Sequence, residues 1–271
     1  AALDGATESL AKTRLKTWID WYTSQGYLNH QYGSNYHAGY VIAKTMTAIA
    51  LSGEDPAGAT YWADVVDNVF GVDIVDKGIK QHKDKFGGLA GGDWPEGWDY
   101  GNQSVEFYAA ATRALADLGV TFPELNQYYS DLSLHHHYAL TPDKKGVWTM
   151  GDNGSQSGAI YPAPSMRPFL AMMFTPSDDK TAGYAAFMHK QLFPSDRDEA
   201  PVFDALAEAR GAAPVDFTTT NPPKFYVTSG TRTLFARSGW DDKAFWAAFQ
   251  SSPHLVPDHQ HIDATDFGFS R

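Results

Sequence analysis

Apolar residues recur at helical spacing along most of the chain, and that rhythm changes once, near Pro222-Pro223. Leu10, Leu15, Trp18, Ile19 and Trp21-Tyr22 trace a helix that Gly26 interrupts. Tyr40 to Leu51 is apolar and Ala-rich, and closes at Ser52-Gly53-Glu54-Asp55-Pro56, a stop signal. Trp62, Val65, Val66, Val69 and Phe70 share one face of a helix over Tyr61 to Phe70. Ser104 to Leu118, ended by Gly119, is a further amphipathic helix. Leu125 to Leu140, Tyr184 to Leu192 and Pro201 to Arg210 continue the series, the last closing at Gly211. Long loops rich in Gly, Trp, Asp and Pro separate these helices: Phe86 to Asn102, Gly146 to Pro168 and Gly211 to Pro223. Such loops are uncommon in compact domains unless they carry function. Paired helices joined in this way suggest an α/α toroid over residues 1–222, with the loops lining a cleft.

Beyond Pro223 the apolar positions follow strand spacing. Phe225 to Ser229, Thr231 to Ser238 and Ala244 to Gln250 are rich in β-branched and aromatic residues, with glycines at Gly230 and Gly239. Trp240-Asp241-Asp242-Lys243 has the composition of a turn. Residues 223–271 are thus expected to begin an antiparallel β domain. About fifty residues are too few for a stable sandwich by themselves, so partner strands are expected on polypeptide beyond Arg271. His259-Gln260-His261-Ile262-Asp263 is expected on a strand, where alternation would place both histidines and Asp263 on one face. That set can hold a metal or present an imidazole to a substrate.

Composition narrows the function. Aromatics make up 14% of the 271 residues, with 8 Trp and 14 Tyr, so carbohydrate stacking competes with simple core filling. The formal net charge of −11 without a basic block argues against nucleic-acid binding. An acidic protein engages a polyanion only through a local cationic groove. Lys77, Lys80, Lys83 and Lys85 around His82 form a small basic patch, more simply read as a solvated face. The absence of cysteine rules out disulfides and thiolate zinc sites. No apolar run is long enough to span a bilayer. The opening Ala1-Ala2-Leu3-Asp4 shows neither an initiator Met nor a signal peptide, which fits a mature exported protein, secreted or periplasmic, and equally a chain trimmed at its start.

Three constellations carry candidate chemistry. Ser34-Asn35-Tyr36-His37 enters a helix and could present an amide and an imidazole, or simply cap that helix. Gly91-Gly92-Asp93-Trp94-Pro95-Glu96-Gly97-Trp98-Asp99-Tyr100 concentrates acids and aromatics on a glycine-rich loop. It reads as a sugar subsite with acid–base residues, or as a surface loop pinned by its own rings. The third is His259-x-His261-x-Asp263, which could also be an ordinary polar strand face. His135-His136-His137 lies in a helical region and cannot share one face, so it is read as solvated or packed.

Taken in order, Asn35-x-His37, Glu96-Gly-x-x-Tyr100, Gly151-Asp152, Arg237-x-x-Trp240 and His259-x-His261-x-Asp263 resemble the heparinase II/III-like polysaccharide lyases and their alginate-lyase and uronate-epimerase relatives. The resemblance runs from about Trp18 to Arg271. It implies a multidomain α+β architecture: an incomplete α/α toroid, then an antiparallel β-sandwich, with the site between them. It also implies cleavage of a uronic-acid polysaccharide by β-elimination, leaving 4,5-unsaturated uronate ends. By motif position Tyr100 is the acid, and also the base where its pKa is lowered by cations. His259 is base or carboxylate neutraliser, and Asn35 and His37 screen the C5 carboxylate. Glu96, Trp94, Trp98 and Arg237 are expected to bind substrate. His261 is the expected ligand of a structural Zn2+ completed by residues beyond Arg271, and no organic cofactor is implied. Partners are then an anionic polysaccharide and a second, C-terminal fragment, with neither nucleic acid nor membrane. Three other readings compete: a C5-epimerase, a non-catalytic polysaccharide-binding protein, and a toroid glycoside hydrolase pairing Asp93 with Glu96 or Asp99.

Overall fold

The computed structural model describes residues 4–82, 85–152, 160–162, 178–192, 211–253, 255–261 and 265–270. It combines helices with a small antiparallel sheet. α1 (Gly5–Gln25) is capped by the Asp4 carboxylate, which accepts from the amides of Ala6 and Thr7, and it ends at Gly26. α2 begins at Asn35, earlier than the apolar run announces, because the Ser34 hydroxyl accepts from the Tyr36 amide; it runs Asn35–Leu51. Asp55 caps α3 (Pro56–Asp64), so the stop signal also starts the next helix. That helix continues with π-type winding over Val65–Ile79. A two-stranded ribbon, β1 (Gln81–His82) and β2 (Lys85–Phe86), follows. α4 (Trp98–Asp117) and α5 (Pro123–Ala139) complete the main helical layer.

β3 (Gly146–Trp148) pairs with β4 (Ile160–Pro162), and α6 (Asp179–Phe187) is followed by a π turn, Met188–Leu192. The helix expected over 201–210 lies outside the described residues, as do Lys83 and Asp263. β5 (Phe225–Thr228), β6 (Thr233–Arg237), β7 (Trp246–Gln250) and β8 (Asp266–Ser270) form an antiparallel meander in chain order. Among the described residues no helix is long and apolar enough to cross a membrane.

The change from helix to sheet falls at the anticipated boundary, yet the core is continuous across it. Phe235, Trp246 and Ala248 belong to the same buried cluster as Trp98, Tyr129 and Tyr138. The Trp246 indole donates to the Tyr138 carbonyl at 2.8 Å, and the Gly230 amide to the Ala90 carbonyl at 2.8 Å. The sheet's inner face, including Thr233, Phe235, Trp246 and Ala248, is thereby covered by α5 and the 87–93 loop. Its outer face leaves Phe225, Val227, Phe249, Phe267 and Phe269 exposed.

Two sequence expectations are corrected here. His259-Gln260-His261 is not a strand: the ladder resumes only at Asp266, and 255–261 is an irregular loop. Its shape comes from Gln260, whose buried amide accepts from Leu255 and Val256 and donates to Ser252 Oγ and the Pro253 carbonyl. Trp98 and Tyr100 are not on a loop either, but on the first turn of α4. Gly97 makes that entry with φ of +84°, and a Cβ there would collide with the Met150 carbonyl oxygen.

Candidate active site

Four segments meet around Glu96: the turn before α2, the 93–97 loop, the Gly151-Asp152 turn and the 255–261 loop. Glu96 is fully buried. Its Oε2 accepts from the Asn35 amide at 2.7 Å, at the open end of α2, and from the Trp94 indole at 3.3 Å. Its Oε1 has no hydrogen-bond partner, and neither has the Asn35 side-chain oxygen. Burial outweighs the two donors and pushes the carboxyl up to about 7. Near neutrality Glu96 therefore carries a proton part of the time.

Behind it, His37 is completely buried and its Nδ1 lies 2.5 Å from the Tyr108 hydroxyl. Burial raises the Tyr108 phenol well above its usual range and lowers the imidazole to about 3. The phenol therefore stays protonated and faces Nδ1 of a neutral imidazole, whose second nitrogen is Nε2. That nitrogen is buried and has no partner.

Tyr100 and His259 come together face to face, with ring centroids 3.7 Å apart and planes 10° from parallel. Asp152 fixes the histidine side. One of its oxygens lies 2.9 Å from His259 Nδ1, the other 2.6 Å from His261 Nε2, and its amide donates to the His259 carbonyl at 3.0 Å. These hydrogen bonds, that to His259 first, hold the Asp152 carboxyl below its usual value. Gly151 permits the approach: at φ of +69° it sits where a Cβ would strike the Glu96 carbonyl oxygen. The alternation expected of a strand survives in this loop, with both histidines directed to Asp152 while Gln260 is buried.

Nothing cationic lowers the Tyr100 phenol. Partial burial, followed by the charges of Asp152, Asp99, Asp258 and Glu96, raises it. A phenol held protonated in this way suits an acid.

No family model matches this chain, and no curated protein matches it.

The remaining expected site residues sit elsewhere or face inward. Trp94 and Trp98 are fully buried, so neither presents a ring face to a sugar. Trp94 packs edge-on against Tyr108, and Trp98 lies against His136 with its indole donating to His135 at 3.3 Å. A glycine-rich loop of this size supplies its own core, which needs its largest rings inside. Arg237 is also buried. Its guanidinium lies over the Trp240 ring at 3.9 Å and donates to the carbonyls of Gly239 and His137. Burial lowers it to about 10.

His135, His136 and His137 are all buried, which decides between their two readings. Lys77 and Lys80 are paired with Asp73, Asp76 and Glu124 and make no open cationic groove. The pair imagined for a hydrolase loses Asp93, which is buried and holds Thr231 Oγ1 at 2.7 Å and the Trp94 amide at 2.8 Å. The donor set for zinc fits only in part. His261 is present, but its Nε2 is bonded to Asp152, and among the described residues no group of three His, Asp or Glu side chains is placed to hold a metal ion. Asp152 itself is a site residue that composition leaves unmarked. The only signal for it is its position in the Gly-Asp motif.

Proposed function

We propose that the protein is a polysaccharide lyase that cleaves a uronic-acid polymer by β-elimination. The observation that carries this reading is the Tyr100–His259 stack, which pairs a phenol held protonated with an imidazole anchored through Nδ1. In the proposed step His259 Nε2 takes the proton from C5 and the electron pair forms the C4–C5 double bond. The C4–O4 bond breaks, and the departing oxygen takes the Tyr100 proton. The C5 proton is acidic enough only if the neighbouring carboxylate is screened. The half-buried Asn35 side chain is the neutral group placed to do this, with the buried Glu96 and His37 behind it in supporting roles. A zinc ion at His261 would be structural in this reading, and the elimination does not run through it.

The finer architecture belongs to the same proposal: the helices as part of an α/α toroid, the four strands as one layer of a sandwich. The apolar outer face of the sheet supports the second half, since a sheet with one solvated face alternates apolar with polar. Secretion and the anionic polysaccharide partner follow from the same reading. The test is absorbance near 232 nm, where an unsaturated uronate absorbs, on a panel of alginate, glucuronan, hyaluronan and heparin. No rise on any of them overturns the lyase assignment. Exchange of the C5 proton without chain cleavage would identify an epimerase instead.

A further inference from the structure

The aromatic residues expected to bind sugar are buried, while a different set is held open to solvent. Among the described residues the most exposed Trp and Tyr side chains are Trp18, Trp21, Tyr27 and Tyr36, all within one stretch leading to the site. Trp18 and Trp21 lie on α1 with exposed Leu10 and Leu15, and both pack against Tyr22, with centroids 5.7 and 6.1 Å away. Tyr27 and Tyr36 differ. Tyr36 follows Asn35, whose amide is fixed on Glu96. The Tyr27 and Tyr36 rings meet edge to face, centroids 5.0 Å apart at 89°, and remain 57% and 40% exposed. Together they form a right-angled corner with an open aromatic face on each side.

The corner is built rather than incidental. Buried Asn29 donates to the carbonyls of Tyr22 and Thr23 at 2.8 Å each, which locks the turn carrying Tyr27. The Tyr36 amide donates to Ser34 Oγ at 3.2 Å, and the Tyr22 hydroxyl reaches the Tyr36 carbonyl at 3.4 Å. Gln31 donates to the Leu255 carbonyl at 3.0 Å, joining this turn to the loop that carries His259. Two exposed rings on an ordered turn, continuous with a candidate site, match the C–H faces of a pyranose, and their hydroxyls match its polar rim.

We infer that Tyr27 and Tyr36 form a stacking subsite for a sugar ring of the polysaccharide, adjoining the Asn35 end of the site. This rests on the polysaccharide reading above, and the experiment separates the two. Tyr27→Ala, Tyr36→Ala and Tyr36→Phe are made in the full chain, and folding is checked by circular dichroism. Binding to alginate, hyaluronan and heparin is measured by affinity electrophoresis, beside the 232 nm assay. Each alanine variant should bind its polymer roughly three- to tenfold more weakly, the range expected for losing one aromatic contact. Tyr36→Phe should bind as wild type, because it keeps the face. Where cleavage occurs, the loss should fall on KM rather than kcat. Aromatic-dependent binding without 232 nm product supports the subsite and removes the lyase reading. Cleavage with unchanged affinity in folded alanine variants overturns the subsite and leaves the lyase. A Tyr36→Phe variant as weak as Tyr36→Ala, or no binding to any of the three polymers, also overturns it.

Discussion

At the residue scale the site depends on which groups keep their protons. Tyr100→Phe removes one hydroxyl and little volume, so elimination should vanish while substrate binding persists, read as initial rate at 232 nm beside affinity electrophoresis. His259→Ala should be similarly impaired in turnover. Asp152→Ala releases both imidazoles it now orients, and a loss of about ten- to hundredfold in kcat/KM is expected, the range for losing an orienting partner of a histidine. Glu96 gives a pH signature of definite sign. Its folded pKa of about 7 lies above the ordinary value of 4.5, so the folded state binds the proton more tightly. Its contribution to stability therefore falls as pH rises from about 4.5 to about 7, by on the order of 3 kcal/mol. Asp93, raised by burial to about 6, acts in the same direction. His37, His135, His136 and His137, all lowered by burial, act in the opposite direction and are common to both proteins, so the Glu96 part is read as a difference. Between pH 5 and pH 8, urea denaturation should show wild type losing stability relative to Glu96→Gln, whose amide still accepts from Asn35. An equal change in both would remove Glu96 as the cause.

At the element scale, helix entrances place the chemistry. Ser34 starts α2 so that its first amide meets Glu96, and Gly97 starts α4 so that Tyr100 stands beside the 255–261 loop. Gly97→Ala forces a side chain into a left-handed backbone against the Met150 carbonyl. It should cost about 1–3 kcal/mol or more, visible as a lower Tm, and should disturb Tyr100 with it. The described helices and the three strands from Phe225 to Gln250 were legible in the apolar rhythm, with helix starts lying a few residues upstream of the apolar runs. The 255–261 loop was not legible as a loop. Its alternation of His, Gln and His imitates a strand, and only the hydrogen bonds of Gln260 reveal a segment folded on itself.

At the scale of the molecule, the sheet has one face packed on the helices and one apolar face open. Replacing Phe267 and Phe269 with serine should reduce self-association, measured by light scattering, and should lower binding of an apolar dye. Unchanged scattering in the double variant would mean that this face does not drive association.

The sequence alone determined the run of main helices followed by the strands from Phe225 to Gln250, because burial on one face of each element imposes its own period. It also placed Tyr100 and His259 in motifs that the fold brings into contact. Tertiary structure decided which polar and aromatic side chains face a cleft and which face the core. Trp94, Trp98 and Arg237 carry the same local signals as site residues, but packing density claimed them for the interior. Asp152 carries almost no local signal, and it joins the site only because a glycine turn brings its carboxylate between two histidines far along the chain.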